Sequence, residues 1–303
     1  MAKVEFGWSM PAGNGNIDRD AYLRAIAKGL EIIPGSFDSA WLSDHLQFGT
    51  DDVLECWTEL TYLAAKHPQL KFGHIVLCQL FRNPALLAKM AATFQYMSRG
   101  RLILGMGAGW NEEECLAYNI YFPPADVRLE ELEEALVIIN ALWRQDDVTF
   151  IGNHHQVQHA YCRPRPDPIP PLMVAGFQPK TLQLTARYAD WWNIMGADLD
   201  LAKKHIANCE RACAEVGRNP ATLRRTLHAT CLCAPKESIV HELTANSTIA
   251  TEHEFIGTPK QVIDQIRPFI DIGIDYFILH CEGFPNLITL ETLANDVIPY
   301  LSH

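Results

Sequence analysis

Three short stretches of this chain combine residue types that can do chemistry. The first is Asp44-His45, directly after the apolar run Ser39–Ser43. An imidazole gains and loses a proton near neutral pH, so His45 is a candidate proton donor or acceptor. Asp44 could hydrogen-bond a ligand or orient that ring; in a purely structural role it would cap the next element while His45 packs. The second is Gly105-Met106-Gly107-Ala108-Gly109, a Gly-rich strand exit where missing side chains would let a flat ring system approach the backbone. It is no dinucleotide fingerprint, because that motif closes the first strand-helix turn and is followed by an acidic ribose ligand. Asn111 is placed to cap a helix beginning at Glu112, and Glu112, Glu113 and Glu114 would favour its positive N-terminus. Of the three, Glu113 is the best placed for a functional role. The third is Gly176-Phe177-Gln178-Pro179-Lys180-Thr181, a strand exit into a helix whose free N–H groups, with a lysine and a hydroxyl, suit an anion such as phosphate. His154, His155 and His159 lie in an extended-looking segment with no carboxylate or cysteine to complete a ligand set, so no metal is expected.

The elements that must hold these residues follow from the apolar pattern. Candidate strands are Val4–Ser9, Ser39–Ser43, Lys71–Cys78, Arg101–Gly107, Leu172–Ala175, Trp191–Ile194, Arg225–Leu232 and Asp275–His280. Between them run segments of helical period. Leu132, Leu136, Ile139 and Trp143 mark one buried stripe, and Leu86, Met90, Ala91 and Phe94 mark another after Pro84. Alternating strands and helices predict an α/β fold, a closed (β/α)8 TIM barrel, with reactive groups at the C-terminal ends of the strands. One insertion, at about 146–170, follows the fourth strand-helix unit. Prolines at 164, 166, 168, 170 and 171 exclude a helix there, so it reads as a hairpin followed by an extended strap. The whole of 1–303 reads as a single domain. Trp8, Trp41, Trp110, Trp191 and Trp192 supply large apolar area, and of the adjacent pair in one strand at least one must leave the barrel interior.

Composition narrows the class. With 48% hydrophobic residues the chain can bury a large core, and a net charge of -11 argues against a nucleic-acid partner, which needs clustered cations. No stretch is long and apolar enough for a membrane span, and Met1–Phe6 lacks a signal-peptide pattern, so a cytoplasmic enzyme with a small-molecule substrate is expected. Nine scattered cysteines without a C-x-x-C pair indicate reduced, buried thiols.

Taken together, Trp41-Leu42-Ser43-Asp44-His45, Phe81-Arg82-Asn83-Pro84-Ala85-Leu86-Leu87-Ala88-Lys89, the run Ser98 to Glu114, and Ala175-Gly176 through Ala189-Asp190-Trp191-Trp192-Asn193 resemble the luciferase-like monooxygenase superfamily, most of all its deazaflavin (coenzyme F420) oxidoreductase branch. The resemblance implies an F420 cofactor, with FMN the alternative, lying across the C-terminal face of the barrel. It implies a non-prolyl cis peptide at Ile75–Val76 against the ring. Carried over by position, Asp44, Ile75, Val76, Cys78, Ala108, Gly109 and Glu113 would contact the ring or its tail. Gly176, Phe177, Gln178, Lys180 and Thr181 would receive the phosphate, and His45 would stand beside the reactive ring carbon. Trp8 and Trp110 would wall the substrate pocket. Sugar-phosphate dehydrogenases of this branch carry a glutamate where this chain has Trp110. Relatives are often dimers, so a homodimer is among the arrangements implied.

The expected activity is hydride transfer between the deazaflavin and a small organic substrate. The enzymatic alternative is an FMN-dependent monooxygenase using reduced flavin and oxygen, whose pocket must exclude water. A non-catalytic flavin-binding protein is the alternative of another class, and a cofactor-free barrel isomerase is disfavoured by the order of the landmarks.

Overall fold

The computed structural model describes residues 3–302, apart from positions 246, 248, 250 and 251. Its strands in chain order are β1 (Glu5–Ser9), β2 (Ser39–Leu42), β3 (Lys71–His74), β4 (Leu77–Cys78), β5 (Leu102–Gly107), β6 (Val148–Ile151), β7 (Gln156–Ala160), β8 (Leu172–Ala175), β9 (Trp191–Met195), β10 (Arg224–Cys233), β11 (Phe255–Gly257) and β12 (Tyr276–Cys281). The principal helices are α1 (Arg19–Ile32), α2 (Cys56–Lys66), α3 (Pro84–Ser98), α4 (Glu112–Ala117), α5 (Ala125–Arg144), α6 (Pro179–Tyr188), α7 (Leu199–Glu215), α8 (Glu237–Ala245), α9 (Pro259–Asp271) and α10 (Ile288–Thr292).

Parallel pairing runs β1, β2, β3, β5, β8, β9, β10, β12 and back to β1, which closes an eight-stranded barrel. The expected single strand over 71–78 is two pieces, β3 and β4, both paired with β5 and interrupted at Ile75-Val76, where the peptide is cis. β11, a three-residue strand on the upper end of β10, had too short an apolar run to be read from sequence. The 146–170 insertion holds the antiparallel β6–β7 hairpin and then the proline strap.

Strand alternation sorts the side chains into two principal cores, beside a small third cluster of Leu232, Ala234 and Val240. One lies inside the barrel and contains Trp41, Ile75, Ile103, Met173, Trp191, Tyr276 and Ile278. The larger one lies between the sheet and the helices. Trp41 fits inside because it lies against Gly7 and Gly73, where an added Cβ would come within 2.2 and 2.4 Å of its ring. Trp192, next to Trp191, points outward and donates its Nε1–H to the Gly176 carbonyl at 2.8 Å.

Period also corrects one helix face. In α3 the buried residues include Leu87, Ala88, Ala91 and Phe94, while Leu86 faces solvent. Asn83 caps that helix by accepting from the Ala85 and Leu86 amides, and this fixes the rotation of the stripe. The α5 stripe, Leu132, Leu136, Ile139 and Trp143, is buried. All nine cysteines are buried and free, and among the described residues no helix is long and apolar enough to cross a membrane.

Candidate active site

At the C-terminal ends of the strands lies a cavity of about 480 Å³, within the range of small-ligand pockets. Ser43, Asp44 and His45 enter it from the end of β2, residues 75–78 from the bulge between β3 and β4, Gly109 and Trp110 from the end of β5, Met195 from β9 and His228 from β10.

His45 is held from both sides. Its Nδ1 is 3.1 Å from Glu114 Oε1, and the other oxygen of that carboxylate accepts the Leu46 amide at 2.8 Å. With Glu114 already accepting the Leu46 amide, its carboxylate is the acceptor in this pair too, so Nδ1 carries the hydrogen and Nε2 is left without a protein partner among the described residues. Phe48 packs on the ring at 4.2 Å between centroids, and Trp110 meets it edge-on at 5.7 Å. Tyr118 donates to the Leu46 carbonyl at 3.2 Å, a second tie between this loop and the α4 region.

Asp44 does not orient His45. Its carboxylate is buried and accepts from Arg82 Nη1 at 2.6 Å, from Arg82 Nη2 at 3.0 Å and from the Cys78 amide at 2.9 Å. Arg82 also reaches Glu55. Burial opposes the charge on Arg82, but these carboxylates prevail and hold its pKa above the usual value. The triad pins the His45 loop to the 75–78 bulge. Burial pushes the Cys78 thiol up to about 12, so it lines the cavity as an apolar group.

The bulge explains the glycines of β5 and of the turn just beyond it. A Cβ on Gly105 would lie 2.0 Å from the His74 carbonyl oxygen, one on Gly107 would lie 2.8 Å from Val76 Cγ2, and one on Gly109 would lie 2.7 Å from Cys78 Sγ. Alternate glycines thus admit the His74 backbone and the Val76 and Cys78 side chains, and their first service is to the protein's own chain. Because a backbone oxygen cannot turn aside as a side chain can, Gly105→Ala is expected to cost about 1–3 kcal/mol, the overpacking range. A lowered midpoint in chemical denaturation checks this; an unchanged midpoint would refute the account.

The remaining expected site residues divide. Ala108 packs on the outer core beside the cavity, whereas Glu113 is exposed and absent from the lining. Glu114, one residue on, takes the inward position, as the burial of Cys115 next to it indicates. Asn111 makes no side-chain cap. Trp8 lies outside the barrel against Gly29 of α1, because Gly7 and Ser9 take the inward positions of β1. Trp110 does line the cavity, with 70% of its surface exposed.

Gly176 to Thr181 form the β8–α6 turn. Gly176 has φ 130° and sits against Thr181, which is buried. Gln178 gives α6 no side-chain cap, so the amides of its first turn lack intrahelical partners and are available to an anion. Lys180 is exposed beside them. The Phe177 ring turns away and stacks on His205 at 4.4 Å, and the Phe177 and Gln178 side chains line a separate groove between α6 and α7. In the insertion, His154 lies 3.3 Å from Glu130 and His159 lies 2.8 Å from Asp147.

Sequence reasoning gave Glu114 only a share in stabilising the helix N-terminus, and gave Arg82, Phe48, Met195 and His228 no role of their own in the site. Arg82 sits within a family landmark and Glu114 within the acidic run, but their partners are 38 and 69 residues away. His228 is in mid-strand with both ring nitrogens shielded and without partners, and burial, with neighbouring His280, pushes its pKa down to about 4.

Residues 4–251 match the family model described as luciferase-like monooxygenase. The F420-dependent glucose-6-phosphate dehydrogenase of Kineococcus radiotolerans is 27% identical over 301 residues, which cover 87% of this chain and 88% of the relative. The F420-dependent hydroxymycolic acid dehydrogenase of Mycobacterium tuberculosis is 30% identical over 204 residues, or 66% of this chain and 56% of the relative. Among solved structures, an F420-dependent secondary alcohol dehydrogenase in complex with an F420-acetone adduct matches with a TM-score of 0.84 at 21% identity, covering 99% of this chain and 100% of that one. The oxygenating constituent of 3,6-diketocamphane monooxygenase from Pseudomonas putida, in complex with FMN, matches with a TM-score of 0.82 at 16% identity over 99% of each chain. At these identities the structural likeness establishes the shared barrel. With the family model spanning most of its length, the chain belongs to the luciferase-like monooxygenase family.

Proposed function

We propose that the protein is an F420-dependent oxidoreductase acting on a small organic substrate. The observation that carries this reading is a histidine held by a carboxylate, His45 on Glu114, on an apolar cavity walled by the bulge at residues 75–78. Full-length relatives named for F420-dependent dehydrogenation support it.

The residues present fit a flat tricyclic ring with a phosphate-bearing tail. Ile75, Val76, Leu77, Cys78 and Gly109 form a low-polarity wall. The uncapped first turn of α6, with Gly176, Lys180 and Thr181, would take the phosphate. When bound, the deazaflavin supplies a carbon that exchanges a hydride with substrate. The protein's own part is to position the reactants, exclude water and manage one proton. His45 Nε2 accepts the proton from a hydroxyl being oxidised, or returns it to a carbonyl being reduced. Glu114 keeps Nδ1 protonated and stabilises the imidazolium form. Asp44 and Arg82 hold the loop carrying His45 in register with the wall.

Titration of the purified protein with F420 and with FMN tests the cofactor. Saturable F420 binding, with FMN markedly weaker, is expected. Tight FMN binding with no deazaflavin binding would reverse the assignment in favour of the flavin-and-oxygen monooxygenase.

A further inference from the structure

We propose that the substrate accepted beside His45 is an uncharged alcohol or carbonyl compound with an apolar body, and that phosphorylated substrates are excluded by charge. The inference rests on the functional reading above and narrows it to a substrate class. A phosphate group needs cations or several convergent N–H donors. Opposite the 75–78 wall that would take the ring, the space beside His45 is bounded instead by Ser43, Trp110, Met195 and His228. The charged side chains on the cavity lining are the carboxylates Asp44, already matched by Arg82, and Glu114, and neither supplies the positive charge an anion needs. No lysine or arginine lines it among the described residues, and none occurs at positions 246, 248, 250 or 251. Arg82, bonded to Asp44, divides its guanidinium between that carboxylate and Glu55.

The histidines do not repair this deficit. His228 stays neutral at ordinary pH, since burial and His280 both disfavour its charged form, and burial lowers His280 in the same way. A protonated His45 would already be matched by Glu114 inside the protein. Lys180 lies outside the lining, at the start of α6.

What the lining does offer is neutral hydrogen bonding. His45 presents Nε2. His228 has no partner for either ring nitrogen, and a half-turn of its ring keeps the outline while exchanging each nitrogen with a ring carbon. In the strand register His228 lies opposite Met195, and both line the cavity. Unpaired buried polar groups are costly, and a hydroxyl or carbonyl oxygen entering the cavity would give them partners without bringing a charge. The sugar phosphate in the names of several relatives is therefore the wrong substrate for this pocket.

Saturation-transfer NMR with cyclohexanol and glucose 6-phosphate as probes, on the protein with and without F420, reads binding independently of turnover. The F420 titration on the same sample reads the cofactor assignment separately. Cyclohexanol is expected to give a signal that the cavity-filling substitution Met195→Trp strongly reduces, and glucose 6-phosphate to give none. With F420 bound, kcat/KM should favour the neutral alcohol by roughly 100-fold or more. Binding or turnover of glucose 6-phosphate, or the lack of a cyclohexanol signal in both forms, would overturn the inference.

Discussion

Replacing His45 by alanine is expected to lower turnover by roughly 10²–10⁴-fold, the usual contribution of a positioned acid-base group. F420 affinity should stay close to that of the parent protein. The two effects separate because His45 is one residue on the rim of a cavity whose walls come mainly from the 75–78 bulge, Gly109 and Met195. Glu114→Gln should cause a smaller loss. A glutamine oxygen can still accept from Nδ1 while its NH2 loses the Leu46 amide bond, and a neutral amide no longer stabilises the imidazolium form, so the deficit should fall on kcat rather than KM. Steady-state kinetics beside a cofactor titration measures both variants. A His45→Ala protein that turns over at the parent rate would remove this residue from the mechanism. Loss of cofactor binding together with turnover would make it a structural residue instead.

Replacing Arg82 by methionine is expected to destabilise the fold by about 3–5 kcal/mol, the cost of stranding one partner of a buried ion pair. The premise is that the Asp44 side chain is 0% exposed and keeps only the Cys78 amide once Arg82 is gone. Substituting both partners, Asp44→Leu with Arg82→Met, should recover part of the loss, because an apolar pair leaves no uncompensated charge. F420 affinity should fall in the single variant, since Asp44 is what joins the His45 loop to the bulge. Denaturant midpoints for the single and double variants, each with a cofactor titration, provide the check. A single variant as stable as the parent, or a double variant less stable than the single one, would refute the account of this triad.

Both experiments probe contacts that were partly visible in the sequence. Asp44-His45 and the glycines of β5 could be picked out because strand exits in a barrel converge on one face, and short-range pattern is enough to find strand exits. Glu114 could not be separated from Glu113 in this way. Neighbours on a helix differ in direction by about 100°, and the rotation of α4 depends on its packing rather than on its acidic run. Trp8 illustrates the same limit in a strand. It is a large aromatic residue near the end of β1, and a one-residue change of facing separates the cavity from the outer core.

The role of the glycines moved for a related reason. Gly105, Gly107 and Gly109 invited a ligand-contact reading, yet His74, Val76 and Cys78 occupy the space their side chains would fill. A missing Cβ announces a close approach without saying what approaches. Likewise, the β8–α6 turn had the composition of an anion site, and its uncapped first turn keeps that capacity, while Phe177 is drawn off to stack on His205.

By itself, then, the sequence determined the strand-helix alternation, the barrel, the position of the hairpin and strap, and the cluster of candidate groups at the strand ends. All of these follow from local periodicity and turn chemistry. Only the tertiary structure decided that Glu114 is the partner of His45, that Arg82 neutralises Asp44, and that the cavity has carboxylates but, among the described residues, no lysine or arginine on its lining. Those are pairings between residues tens of positions apart, set by how strands register and helices rotate when the barrel closes, and no short-range pattern encodes them.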